Sequence, residues 1–530
     1  MNPKLLTIAL LALFLANCQG KEDNRKEAIE DAQQKKTSAN EIIRPVSIEK
    51  LKTVNDSIKR YYAVLQNYEI WYNSNNRKDL INEIKLCYRE GLNPSDYNIE
   101  EIEKLEEKRE KLTDDEIIAY DILLTTNFEK LSNHLHAGKL NPKKLYSDWD
   151  LEKKEIALSQ KLETAIKENK VATLFKNIKP QDEIYRKIKK SLLVLEKYPD
   201  YKFGKISLKN KIVVNDTTDV IIDIKKRLAY WKDYQNRDSI ITNVYDSLTV
   251  EAVKRFQKRH NLAIDGVIGL GTIKALNYSK NERREQIIAN LERWKWFPND
   301  FGETYLLVNL PEYKLSYVVN KDTITTERII IGKASRKTPI LTSKLTNFVF
   351  NPTWTVPPTI LKEDLTPAAS KSSGYFEKNR ITIYNNKGEI ISAEDWSPEN
   401  ARSYRYVQRP GSDNSLGLVK FNFSNRHSVY LHDTNNRSYF TRENRAVSSG
   451  CVRVENPLRL AKKIMKKEDD DWSLEKIDEI IAKKNSKLVP IKSDVKVHLL
   501  YWTNTLDKNQ LIFYDDCYNL DKEVFNKLRN

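Results

Sequence analysis

From about residue 45 to 205 apolar side chains recur at steps of three and four, as in IEEIEKLEEKREKLTDDEIIAYDILLTTNFEKLSNHL. This period predicts a succession of amphipathic helices. The Glu and Lys run over 100–111 reads as a solvated helix face. A second helical unit spans residues 220–277: IIDIKKRLAYW, a polar loop, an amphipathic helix from Leu248 to His260, the turn IDGVIG and a short helix GTIKALN. Beyond NLERWKWFP, whose Trp294, Trp296 and Phe297 suit a core, the texture changes at Tyr305. YLLVNLPEYKLSYVV and TERIIIGKASRKTP alternate apolar and polar positions with β-branched enrichment, so the C-terminal half is β-rich. The polar stretch between Trp354 and Arg409 is long for a connection inside a β domain, and such excursions are often lids.

At 530 residues the chain is long enough for about three cores, and the class this predicts is multidomain α+β. The first 15 residues hold one Lys and an apolar run too short for a comfortable membrane span, the layout of an export signal. Leu15-Ala16-Asn17-Cys18 resembles the lipobox of bacterial lipoproteins, which implies acylation of Cys18 after removal of a signal peptide over 1–17. The polar tract 18–41 reads as a flexible tether. Together these place the chain outside the cytoplasm, as a periplasmic lipoprotein held to a membrane by its lipid. The net charge of +16 suits either a polyanionic partner or Lys-rich solvated faces, and with no basic-aromatic motif nucleic acid is not expected.

Cys87, Cys451 and Cys517 are too scattered for a disulfide framework or a metal cluster, and His134 and His136 sit on different faces of a helix, so no metal site is expected. A thiol becomes a nucleophile as thiolate, for which histidine is the usual proton acceptor. His432 precedes Cys451 by 19 positions in YLHDTNNRSYFTRENRAVSSGCVRV, so only tertiary structure can join them. Gly450 fits a tight turn whose N–H groups could face a developing oxyanion. On these residues alone a structural thiol fits as well as a reactive one. His427 is a competing base, and strand alternation should turn it and His432 to opposite faces.

The stretch resembles the active-site motif of the L,D-transpeptidases, a His followed by Ser/Thr-His-Gly-Cys. The ordered segments YLLVNLPEYKLSYV, GKASRKTPI, FNPTWTVPPTI, QRPGSDNSLGLVKFNF and YLHDT are similar to the large, scaffold-bearing branch of that family over residues 45–515. AVKRFQKRH followed by DGVIGLGTIKALN resembles a small three-helix peptidoglycan-binding domain. The resemblance implies a helical scaffold domain over 42–217, a peptidoglycan-binding-like domain over 218–280 and a β-rich catalytic domain over 303–530 with a capping loop near 362–410.

It further implies Cys451 as nucleophile, His432 as base, the main-chain carbonyl of Asp433 as the group orienting the imidazole, and Arg453 as a partner for a substrate carboxylate. The family's second histidine is here Ser449. The implied reaction forms 3→3 cross-links between peptidoglycan stem peptides through a thioester. The donor is a tetrapeptide and the acceptor a diamino acid amine, with no cofactor, and carbapenem-type inhibitors should acylate the same thiol. Trimming of tetrapeptides by water, an L,D-carboxypeptidase activity, and a non-catalytic wall-binding tether are the alternatives. A cysteine peptidase of another fold lacks support, since neither Cys-Gly-Ser-Cys-Trp nor a downstream His and Asn follows.

Overall fold

The computed structural model describes residues 43–152, 154–235, 241–372, 374–468 and 472–530. The signal segment 1–17, most of the tether 18–41 and Cys18 lie outside the described residues, as does the rest of that tether. Among the described residues no helix is long and apolar enough to cross a membrane.

The N-terminal region folds as the helical period predicts. Its longest helix, Asp114–Ala137, starts at a capping box in which the Thr113 hydroxyl and the Glu116 carboxylate satisfy each other's backbone N–H groups. Around it a core of Tyr62, Trp71, Leu80, Ile84, Phe128 and Phe175 is closed to solvent. Within that core the Asp121 carboxylate accepts from the Tyr62 hydroxyl and from the N–H groups of Ile70 and Trp71. His134 and His136 go to separate partners, the Tyr97 hydroxyl and the Ile178 carbonyl.

Core membership does not follow chain order. Helix Glu183–Glu196, although it continues the N-terminal helical run, packs with the C-terminal body through Tyr185, Ile188, Leu192 and Leu195. So do helices Val220–Tyr230, Ser247–Arg259 and Leu270–Leu276 of the second unit. Helix Lys280–Trp296 joins these parts and is buried along nearly its whole C-terminal half, including Trp294 and Trp296. It donates from Lys295 to the Glu90 carbonyl on one side, and pairs Arg293 with Asp521 at 2.5 Å on the other.

The β-rich half begins earlier in the chain than its texture suggests. Strand β1 (Trp149–Asp150) pairs in parallel with the main C-terminal sheet. Then follow β2 (Thr304–Asn309), β3 (Lys314–Val319), β4 (Asp322–Gly332) and β5 (Ile340–Phe350). A small antiparallel sheet carries β6 (Trp354–Thr355), β7 (Ile381–Tyr384), β8 (Ile390–Ile391) and β9 (Arg405–Gln408). The main sheet resumes with β10 (Val419–Phe423), β11 (Leu431–His432), β12 (Ala446–Ser448), β13 (Val452–Val454), β14 (Lys487–Pro490) and β15 (Lys496–Leu500), and a hairpin of β16 (Asn504–Asp507) and β17 (Gln510–Phe513) ends the strands.

In the main sheet β5, β10, β11, β13, β4, β3, β2 and β15 pair in that order, and β15 returns to pair with β5. The long strand β5 makes the closure possible, since one of its edges carries β1 and β10 and the other carries β15 and β14. Closing the ring pairs its own strands on both sides and leaves β1 and β14 as the short flanking strands on β5. The stretch between β6 and β9 is a compact subdomain. It has its own core of Val356, Leu361, Leu365, Phe376, Ile383 and Tyr406, and a helical stretch Pro358–Ala369 that includes a π-type turn at Leu361–Leu365.

Candidate active site

Strand register brings the chemistry together. β11 and β13 are parallel neighbours, with Leu431 opposite Val452 and His432 opposite Arg453. Leu431 and Val452 are fully buried in the barrel core, so by alternation Tyr430, His432, Cys451 and Arg453 share the other face. On the opposite side of β11 the antiparallel strand β10 sets Lys420 against His432, adding a cation to the same face. The chain between His432 and Cys451 leaves β11 through a 3-10 turn at Arg437–Thr441 and returns through β12. His427 lies elsewhere, in the turn between β10 and β11, where its neighbour Arg426 reaches Ser147 and Asp150. It is off the strands, so alternation does not govern it.

Cys451 is half-buried just before β13, where the hydrogen-bonding influence of the Tyr430 hydroxyl and main chain favours its thiolate. The Trp354 side chain of β6 favours the ionised form of the Tyr430 hydroxyl, and the Lys420 ammonium sits over the Tyr430 ring at 3.9 Å from its centre. Burial pushes the Cys451 thiol up, against the influence of Tyr430 and the charges of Lys420 and Arg453. Burial, with help from Arg453 and Lys420, pushes His432 down to about 3, and the hydrogen-bonding influence of the Asp433 main chain works the other way. Its Nδ1 is closed off from solvent without a hydrogen bond of regular geometry. The resting pair is therefore a neutral thiol and a neutral imidazole.

The turn that carries Cys451 is shaped from within and from one neighbouring loop. Ser448 Oγ donates to the Cys451 carbonyl at 2.7 Å and accepts the Gly450 N–H at 3.2 Å. The N–H of Gly450 is thus directed at Ser448. Gly450 has φ +114, a conformation that suits glycine. The GKASRKT loop between β4 and β5 holds the turn from outside. Lys333 N–H donates to the Ser448 carbonyl at 2.9 Å and Thr338 Oγ1 to the Gly450 carbonyl at 2.7 Å. Gly332 must be a glycine here, because a Cβ would lie 2.1 Å from the Arg336 carbonyl and 3.0 Å from Gly450 Cα.

Ser449 is exposed, and its hydroxyl accepts from Arg336 at 2.7 Å. Asp433 uses its carboxylate structurally, accepting the Leu418 N–H at 2.9 Å and pairing with Arg437. Arg453 has Nε and Nη1 buried and unpartnered. It lines a cavity of about 350 Å³ with Lys378, Asn379 and Gln408 of the small subdomain and Asp413 and Asn435 of the barrel. A desolvated fork of donors with no acceptor favours an incoming carboxylate. Sequence reasoning missed Tyr430, Lys420, Trp354 and Arg336. Tyr430 was reachable, since it stands two residues before His432 and so shares its face.

Comparison with known proteins shows which domain surrounds this site. A family model described as "L,D-transpeptidase catalytic domain" matches residues 303–478. The chain carries an L,D-transpeptidase catalytic domain. A "Scaffold domain" matches residues 56–192 and a "Putative peptidoglycan binding domain" residues 217–276, which accounts for the helical regions ahead of the L,D-transpeptidase domain. A protein of Haemophilus influenzae named "Putative L,D-transpeptidase" is 37% identical over 243 residues, 45% of this chain and 49% of that one. The chain thus spans about half the length of that relative.

Two solved L,D-transpeptidase structures are also similar. The one from Xylanimonas cellulosilytica has 14% identity, covers 56% of this chain and 99% of its own, and gives a TM-score of 0.18. The one from Stackebrandtia nassauensis has 13% identity, covers 55% and 94%, and gives 0.22. Neither likeness bears on the reaction.

Proposed function

We propose that the chain is a cysteine-dependent peptidoglycan L,D-transpeptidase, with Cys451 as nucleophile and His432 as base. The observation that carries this is register: parallel pairing of β11 with β13 sets both side chains on one face, beneath the small subdomain, in an L,D-transpeptidase domain. A neutral imidazole is the form that can accept a proton. The Cys451 proton passes to His432 as sulfur attacks the carbonyl between the third stem residue and D-Ala, and Lys420 and Tyr430 steady the thiolate. His432 then gives that proton to the D-Ala amine as it leaves, and a thioester remains. His432 next deprotonates the side-chain amine of a second stem. Attack by that amine forms the 3→3 amide bond and returns the thiol. Water in place of the amine gives the L,D-carboxypeptidase outcome.

Arg453 fits the substrate carboxylate, because it lines the polar cavity and its Nε and Nη1 are buried without an acceptor. Carbapenem-type inhibitors are read as acylating Cys451 by the same attack. The peptidoglycan-binding domain supports a wall substrate, and an acylated Cys18 would hold the enzyme at a membrane outside the cytoplasm. A mature N-terminus carrying acyl chains on Cys18 in a mass spectrum would support that placement, and an unmodified Cys18 would sink it.

The deciding experiment is mass spectrometry of products from purified disaccharide-tetrapeptide. Wild type is expected to release D-Ala and form a cross-linked dimer, and Cys451→Ala to do neither. Turnover by Cys451→Ala would reject the assignment. Dimers absent with D-Ala released would select the carboxypeptidase, and no reaction together with a Cys451 that no thiol reagent labels would select the wall-binding tether.

A further inference from the structure

The turn that holds the nucleophile loop also touches the small subdomain, and one side chain makes both contacts. Arg336 lies in the GKASRKT loop with its side chain only 8% exposed. It pairs with Glu363, with Asp364 at 2.7 Å, and with Ser449 Oγ at 2.7 Å. Glu363 and Asp364 stand on the π-type turn of the helical stretch over the site and are about half exposed, 50% and 51%. Neighbours of Arg336 in the same loop fix the residues on either side of Ser449, since Lys333 holds the Ser448 carbonyl and Thr338 the Gly450 carbonyl. Ser449 occupies the position where the motif that the chain resembles has a histidine, so the chain meets that position with a cation supplied from another loop.

We propose that Arg336 is a positioning residue that makes the geometry of the nucleophile turn depend on docking of the subdomain above it. With Glu363 and Asp364 in place, the guanidinium is fixed on three sides and holds the Ser449 hydroxyl, which stiffens the turn two residues before the sulfur. When the subdomain lifts to admit or release substrate, Arg336 loses two of its three partners and Ser449 loses a fixed donor. Cys451 is then held in its productive geometry only under a closed cap, which confines thioester formation to the water-poor state. The idea rests on Cys451 being the nucleophile.

The test uses the full chain with Arg336→Ala, Arg336→Lys and the double variant Glu363→Gln/Asp364→Asn. The double variant changes only half-exposed side chains and leaves the barrel core untouched. Three quantities are read: kcat and KM for D-Ala release from disaccharide-tetrapeptide, the rate of Cys451 alkylation by iodoacetamide, and amide exchange over 358–369. Arg336→Ala and the double variant are each expected to lower kcat about tenfold or more, with KM changed by less than about threefold, since small misplacements of reacting groups cost rate. Both should alter alkylation and speed exchange over 358–369. Arg336→Lys should regain part of the exchange protection and little of kcat, because one ammonium cannot serve three partners at once. Faster exchange with kcat and alkylation unchanged would reduce Arg336 to an anchor and overturn the coupling. Unchanged exchange would overturn the latch itself. If Cys451→Ala still turns over substrate, the nucleophile reading has failed, and the exchange data still judge the latch separately.

Discussion

At Cys451 burial outweighs every group that favours the thiolate, and the balance is adjustable one side chain at a time. Tyr430, Lys420 and Arg453 act on the sulfur without being its base, and the first two carry the test. Lys420→Met and Tyr430→Phe are therefore each expected to push the thiol further up and to slow iodoacetamide labelling at pH 8, tenfold for each pKa unit while the thiol stays mostly protonated. The check is the full pH profile of labelling, and a curve that fails to move toward higher pH in either variant would refute the role given to that side chain. These residues also mark how far the site was legible. Cys451 and His432 could be named as candidates from residue type and motif, because a nucleophilic thiol demands a proton acceptor and the order of segments points to one. Lys420, Trp354 and Arg336 become site residues only through the pairing of β10 with β11 and the packing of two loops. No local pattern encodes those contacts.

Among elements, β15 shows how a buried strand can carry a hidden titration. His498 is 1% exposed, donates from Nε2 to the Phe301 carbonyl at 3.0 Å and accepts the Thr342 hydroxyl at Nδ1. This is a satisfied core histidine, and burial pushes it down to about 4. The unfolded chain then binds the proton more readily than the folded one between about pH 6.5 and 4, so stability falls as pH drops through that window. Loss of the full effect is on the order of 3 kcal/mol. His498→Gln is expected to lower stability at pH 7 and to flatten its dependence below pH 6.5, measured as urea midpoints across pH 4–8. An unchanged slope would show that His498 is not a source of acid lability. Period alone located the helices and the first catalytic strands well, since amphipathic faces must match their cores. It could not locate β1, two residues inside a helical run that complete a sheet formed almost 200 residues later.

Across the whole molecule the binding unit and the barrel share one continuous core, and helix Lys280–Trp296 is where their fates are tied. Asn290 bonds Thr503 and Asn504, Thr503 bonds Asp521, and Asp521 pairs with the fully buried Arg293. Removing one partner of a buried ion pair strands the other charge, which typically costs 3–5 kcal/mol, whereas replacing both with apolar groups can be nearly neutral. Asp521→Ala is thus expected to destabilise the binding unit and the barrel together by about that amount. Arg293→Met/Asp521→Leu should recover much of it. The N-terminal core of Tyr62, Trp71 and Phe128 is a separate cluster, and its amides should keep their exchange protection longer in Asp521→Ala. Hydrogen exchange followed by mass spectrometry reads all three regions at once. Loss of protection in the barrel with the second helical unit unaffected would contradict a shared core, and it would mean that the helices of that unit are carried by the barrel without being folded by it.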